Sequence, residues 1–192
     1  MKRNRNSGFS LIEALIVVAI TLVLAGIAIP VFITTIDTYR FAATVSAASG
    51  ALSATRMQAI MRGCPYELIF TPSSLSYQLY SEVPPIGTVG CLTSYSLVTP
   101  QTGSATTPLP NAGPMTMTGL VSCTAPPALT GCTAMTGTTI TYTFSSNGTV
   151  TSNPSGVGMQ IQYKVYTHGA WVSARSNTIW VSGVGNVSTS NP

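Results

Sequence analysis

The side chains able to do chemistry are few: four carboxylates, one histidine and four cysteines in 192 residues. One carboxylate stands out by its position. Glu13 closes the stretch Gly8-Phe9-Ser10-Leu11-Ile12-Glu13, and the twenty residues after it, Ala14 to Ile33, carry no charge. A charged side chain in hydrocarbon costs about 2.5–3.5 kcal/mol on insertion scales, so Glu13 needs a partner. The apolar run holds no Lys, Arg or His to supply one. Cleavage after Gly8 would create one, the α-amino group of Phe9. A carboxylate at the mouth of a membrane-length segment, matched to an amine made by processing, suits a subunit built to assemble.

The other candidates do not gather into a catalytic set. Asp37, Glu67 and Glu82 fall in a helix and two separate β segments, so no paired-carboxylate site is expected. A Ser or Cys nucleophile would depend on His168, which stands beside Gly169 in a turn. Gly156-Val157-Gly158 lacks the third glycine and the strand-to-helix setting of a dinucleotide loop. Trp171 and Trp180 suit the core or a subunit contact better than a ligand platform. No enzyme and no cofactor are expected. Cys64, Cys91, Cys123 and Cys132 include no Cys-x-x-Cys spacing, and with one histidine they make a poor metal site. In an oxidising compartment they are disulfide candidates. Four cysteines allow three pairings, of which the sequence neighbours Cys64–Cys91 and Cys123–Cys132 are favoured.

Charge says where the chain goes. Charged residues are 6% of the total, far below the roughly 25% of an average soluble domain. The net charge of +4 is mostly a property of the leader, where Lys2, Arg3 and Arg5 stand. After cleavage five basic residues face four acidic ones, leaving +1. No basic stripe remains, and no nucleic-acid partner is expected. The leader keeps the N-terminus cytoplasmic and places the rest outside. An ordinary secretory signal is cut after its apolar region, and Ala25-Gly26-Ile27-Ala28 is the alternative site of that kind. A cut after Gly8 keeps the span in the mature protein.

The elements that position Glu13 follow from periodicity. Residues 9 to about 62 read as one long helix. Its first part is apolar all round, and twenty residues at 1.5 Å each give about 30 Å, the thickness of a hydrocarbon core. Gly26 and Pro30 are expected to interrupt it. Beyond Ile33, Phe41, Val45, Ala48 and Leu52 form an apolar stripe, with Asp37, Arg40, Ser49 and Arg56 off it. Gly63-Cys64-Pro65 is a helix stop. Strands follow at Tyr66–Thr71 and Leu75–Tyr80, in a hairpin across Pro72-Ser73-Ser74, then Leu92 to Val98. Residues 99–138, rich in Thr, Pro and Gly, read as a long surface loop with a short strand near Met115–Val121. Further strands are expected at Thr139–Phe144, Met159–Tyr166, Thr178–Ser182 and Asn186–Ser188. Helix then sheet is an α+β arrangement.

Gly8-Phe9-Ser10-Leu11-Ile12-Glu13 resembles the processing signal of type IV prepilins and type II secretion pseudopilins. The resemblance implies that a membrane peptidase cuts after Gly8 and methylates Phe9. It also implies that Glu13 pairs with the N-terminal amine of a neighbouring subunit, and that Pro30 falls where many members carry proline. A weaker resemblance, to H-type pseudopilins and FimT minor pilins, rests on three stretches. They are Ile140-Thr141-Tyr142-Thr143-Phe144-Ser145-Ser146-Asn147-Gly148-Thr149, Thr178-Ile179-Trp180-Val181-Ser182 with Gly183 to Val187, and the helix exit Ala59 to Pro65. Where that group often has Gly-Arg-x-Arg, linked in some FimT proteins to DNA binding, this chain has Gly185-Asn186-Val187-Ser188. DNA uptake is therefore not implied. The expected fold is type IV pilin-like, a long N-terminal helix packed on an antiparallel head. It comprises a leader (1–8), a span (9–33), an amphipathic half (34–62) and a head (63–192). The implied role is a minor pilin or pseudopilin of a type IV pilus or type II secretion system. Its implied partners are a prepilin peptidase, other fibre subunits, an inner-membrane assembly platform and the membrane. A major pilin or a membrane-anchored extracytoplasmic binding module are the alternatives. The implied location is the inner membrane with a periplasmic head, then a periplasmic pseudopilus or surface pilus.

Overall fold

In a computed structural model, residues 10–84, 90–98, 106–110, 115–121, 132–135, 139–153, 158–167 and 170–190 are described. The helix α1 covers Leu11–Arg62 without a break. The expected interruption at Gly26 and Pro30 does not occur. Proline removes one backbone donor, but the bonds made by the residues around it persist, so one missing bond does not end the helix. Gly26 has nothing within 4 Å of where a Cβ would stand, so packing does not demand a break there. The end of α1 has a clear cause. Gly63 sits at φ +67 and its N–H donates to Ala59 O at 3.0 Å, the left-handed cap that glycine adopts without steric cost.

The chain divides into two units, Met1–Arg40 and Phe41–Pro192. In the second, the C-terminal half of α1 buries Phe41, Val45, Ala48, Leu52 and Ala59. Four of these are the stripe read from the sequence. Thr44 is also buried, and its hydroxyl donates to Pro110 O at 2.6 Å.

The head is antiparallel, as expected, and its strands divide between two sheets. The first joins β1 (Tyr66–Thr71), β2 (Ser76–Ser81), β3 (Ser96–Leu97), β4 (Thr107–Pro108), β7 (Ile140–Phe144) and β8 (Val150–Asn153). Its order is β3-β2-β1-β7-β8, with β4 also on β2. The second has the order β11-β10-β9-β5-β6. It contains β5 (Met115–Val121), β6 (Thr133–Met135), β9 (Gly158–Thr167), β10 (Ala170–Val181) and β11 (Val187–Ser190). One core unites α1 with Leu68, Phe70, Ile140, Tyr142 and Phe144 of the first sheet and Met115, Met117, Met159, Ile161 and Ile179 of the second. Tyr142 meets Phe70 edge-on at 6.3 Å between centroids, a favoured aromatic geometry.

Three sequence expectations change. The 99–138 stretch is more than a surface loop with a strand in it, because β5 is an inner strand paired to both β9 and β6. Met-Thr-Met-Thr alternates, and Met115 and Met117 are buried in the core. The third strand is only two residues long. β10 begins eight residues before Thr178, because pairing with β9 holds the polar stretch Val172–Asn177 extended across a register shift between Ser173 and Arg175.

Cys64 and Cys91 form a disulfide, the neighbour pairing read from the sequence. It ties the end of α1 to the segment after β2 across a separation of 27 residues. Cys132 is also disulfide-bonded, while Cys123 lies outside the described residues. Loop-closure entropy puts the Cys64–Cys91 bond at about 3.5 kcal/mol. The Cys64→Ala/Cys91→Ala double variant should lose roughly that much in a denaturant titration of the detergent-solubilised chain.

Glu67, opposite Tyr80 in β1, has its carboxyl pushed above the usual value by burial. Burial, then Glu82, then Glu67 push the Tyr95 hydroxyl upward as well. A raised carboxyl means the fold binds the Glu67 proton more tightly than the unfolded chain does. Its effect on stability is therefore absent below the ordinary carboxylate value and becomes a penalty as pH rises through the folded one. Glu67→Gln should flatten that part of the stability–pH curve, with a small effect because the side chain is half-exposed.

Candidate functional site

Glu13 lies in the first turn of α1. Its N–H donates to Ser10 O at 3.0 Å, and that of Ala14 to the same oxygen at 3.2 Å, so the helix starts on Ser10. A carboxylate is favoured there, because the unpaired N–H groups of a first turn carry partial positive charge. The Glu13 side chain is exposed. Leu11–Ile29, 19 residues, makes one helix long and apolar enough to cross a membrane, and every residue in it is exposed. At 1.5 Å per residue it spans about 28 Å. Leu11, Ile12, Leu15, Ile16, Val18 and Leu22 all present more than half of their surface, and only an apolar environment satisfies that. Past the span, Asp37 and Arg40 pair at 3.9 Å on one helix face. Gly8 and Phe9 lie outside the described residues. Pro30 is within the helix.

The sites expected to stay empty of chemistry are scattered. Asp37 is on α1, Glu67 on β1 and Glu82 just beyond β2. His168 lies outside the described residues. Among the described residues no group of three or more His, Cys, Asp or Glu could hold a metal ion.

A second constellation was not legible beforehand. The β7–β8 turn, Ser145 to Thr149, and the β10–β11 turn, Ser182 to Asn186, lie against each other, joined by Val150 N–H to Gly183 O at 3.0 Å. Arg56 of α1 ties them. Its Nε donates to Gly148 O at 3.2 Å and its Nη1 to Asn186 Oδ1 at 3.1 Å. Asn147 Oδ1 accepts from the Thr149 N–H and hydroxyl, closing the first turn on itself. These turns belong to two of the stretches carrying the weaker family resemblance, which the fold brings side by side. Sequence reading placed Arg56 off the apolar stripe and gave it no partner. The available signal was its spacing, since Arg56 is four residues after buried Leu52.

Residues 3–29 match the family described as the prokaryotic N-terminal methylation motif. That match covers 27 of the 192 residues, the N-terminal stretch that runs from the basic leader into the apolar helix. No curated protein matches it. Among solved structures, the minor pseudopilin EpsH from the type II secretion system of Vibrio cholerae is similar, with a TM-score of 0.47 and 10% identity. That comparison covers 80% of this chain and 96% of the other.

Proposed function

We propose that this chain is a minor pilin or H-type pseudopilin. It is held in the inner membrane by α1 with its head on the periplasmic side, cut after Gly8, N-methylated at Phe9 and built into a fibre through α1. The observation that carries this reading is the continuity of the methylation motif with a bare 19-residue apolar helix. Stored in a bilayer, that helix is covered by lipid. In a fibre it is covered by its neighbours, and burial at about 25 cal/mol per Å² of apolar surface is ample to hold the subunits once it is extracted. The two turns tied by Arg56 support the H-type assignment, because they are the stretches that resemble that group. A major pilin would instead dominate a sheared fibre preparation, whereas this subunit should be scarce in one.

Processing is tested by mass. Expressed with a prepilin peptidase, the wild type should lose residues 1–8 and gain one methyl group at Phe9. Gly8→Val should keep the leader and stay out of sheared fibres. Fibre incorporation with the leader retained would sink the reading, and a binding role that survives with the leader uncut would favour an anchored binding module.

A further inference from the structure

Three large apolar side chains stand exposed near the end of α1. Met57 is 58%, Ile60 45% and Met61 76% exposed. A spacing of four puts Met57 and Met61 on one helix face, with about 5–6 Å between their Cβ atoms. Leu52 and Ala59, fully buried, take the other side of the helix. Met115, Met117 and Met159 are the reverse case, at 3%, 5% and 0% exposed, inside the core that joins both sheets to α1. No thiol competes with Met57 and Met61 for an oxidant. Among the described residues no cysteine is free, and Cys64, Cys91 and Cys132 are all disulfide-bonded. Exposed thioethers are then the groups an oxidant reaches first.

We infer that Met57 and Met61 are a paired, reversible oxidation site, where a peroxide turns an apolar helix face polar and leaves the fold standing. The sulfur attacks one peroxide oxygen, the O–O bond breaks and an S=O bond forms. With hydrogen peroxide, the second oxygen leaves as water. The sulfur gives up two electrons and the peroxide takes them. Each methionine ends as a sulfoxide, which is polar and chiral. At Met115, Met117 or Met159 that product would set an unpaired polar group in the core, at a cost in stability. At Met57 and Met61 water solvates it. Because both sulfurs lie on one face, two oxidations change one continuous surface, Met57-Ile60-Met61, and not two scattered points. The Cys64–Cys91 disulfide, three residues past Met61, fits an oxidising compartment in which such oxidants are met. The exposure that admits a peroxide also admits a methionine sulfoxide reductase, which returns the thioether. None of this depends on fibre assembly, only on the folded head.

The test is peptide-resolved mass spectrometry of the full chain, held in peroxide-free detergent and quenched at intervals after hydrogen peroxide is added. Met57 and Met61 should each gain one oxygen atom about tenfold faster or more than Met115, Met117 and Met159, whose sulfurs are reached only when the head opens. Near-UV circular dichroism should be unchanged when both are oxidised. The two methionine sulfoxide reductases, one for each epimer, should then remove both oxygens. In urea, where the head is unfolded, all five methionines should react at similar rates. Met57→Leu/Met61→Leu should keep the fold and lose the fast uptake. Equal rates at the pair and at the core methionines in the folded chain overturn the proposal. So does a near-UV signal lost in step with oxidation of the pair, and sulfoxides that the reductases leave in place overturn its reversibility.

Discussion

Glu13→Ala should remove the chain from the fibre, with incorporation into sheared fibres falling about a hundredfold or more while the head still folds. Glu13 stands in the first turn of a helix whose next 20 residues contain no cation. In the bilayer it reaches the headgroup region and solvation is cheap. In the proposed fibre core that escape would close, and the α-amine of Phe9 on a neighbour, freed by the proposed cut after Gly8, would be the partner. Removing the carboxylate would then leave that amine buried and alone, which is the expensive way to break a buried pair. Glu13→Gln should fail nearly as badly, because it keeps the shape and loses the charge. Glu13→Asp should retain part of the incorporation. The head lies far along the chain from position 13 and is stabilised by its own core, so near-UV circular dichroism should not change. Normal incorporation of the alanine variant would overturn the pairing.

The parts of this protein legible in its sequence are those where one physical effect dominates. Uniform apolarity from Ala14 to Ile33 can only be a span or a buried core, and Gly63 before Cys64-Pro65 could only end a helix. Phe41, Val45, Ala48 and Leu52 announced the packed face because α-helical spacing leaves no other reading. β5 was harder. Its Met-Thr-Met-Thr alternation is a fair strand signal, but it sits in a Thr- and Pro-rich context that dilutes the pattern. Only pairing with β9 and β6 makes it an inner strand. The Val172–Asn177 stretch has no period of its own and is extended because β9 lies beside it. Tertiary pairing decides such segments, and propensity cannot. Arg56 illustrates the same limit for a site. Its partners, Gly148 and Asn186, are 92 and 130 residues away, and nothing local points to them.

Those two distant turns meet too closely to tolerate a side chain, which gives the second large effect. Gly185→Ala should destabilise the head by about 3–5 kcal/mol, while Gly183→Ala, two residues earlier, should change stability by less than about 1 kcal/mol. Gly185 sits at φ +81, where an L-residue costs about 1–2 kcal/mol. The added Cβ would also stand against Gly148 O and 2.7 Å from Arg56 Nε. The clash with a backbone oxygen cannot be relieved by a rotamer change, so the turns must separate. Separation stretches the Val150 to Gly183 bond and frees Arg56 from both of its acceptors, and because the Arg56–Asn186 contact is exposed the two bonds together are worth about 2–3 kcal/mol net, toward the low end for hydrogen bonds to a charged group. Gly183 has open space around it, and its backbone is not in the left-handed region. Arg56→Lys, which cannot span two acceptors with a planar fork, should reproduce about half of the Gly185→Ala loss. Adding Arg56→Lys to Gly185→Ala should then cost little more, because both changes break the same node. Full additivity in that double-mutant cycle would show that the turns and Arg56 act separately, and equal stability of the Gly183 and Gly185 variants would show that the turns are not in close contact at all.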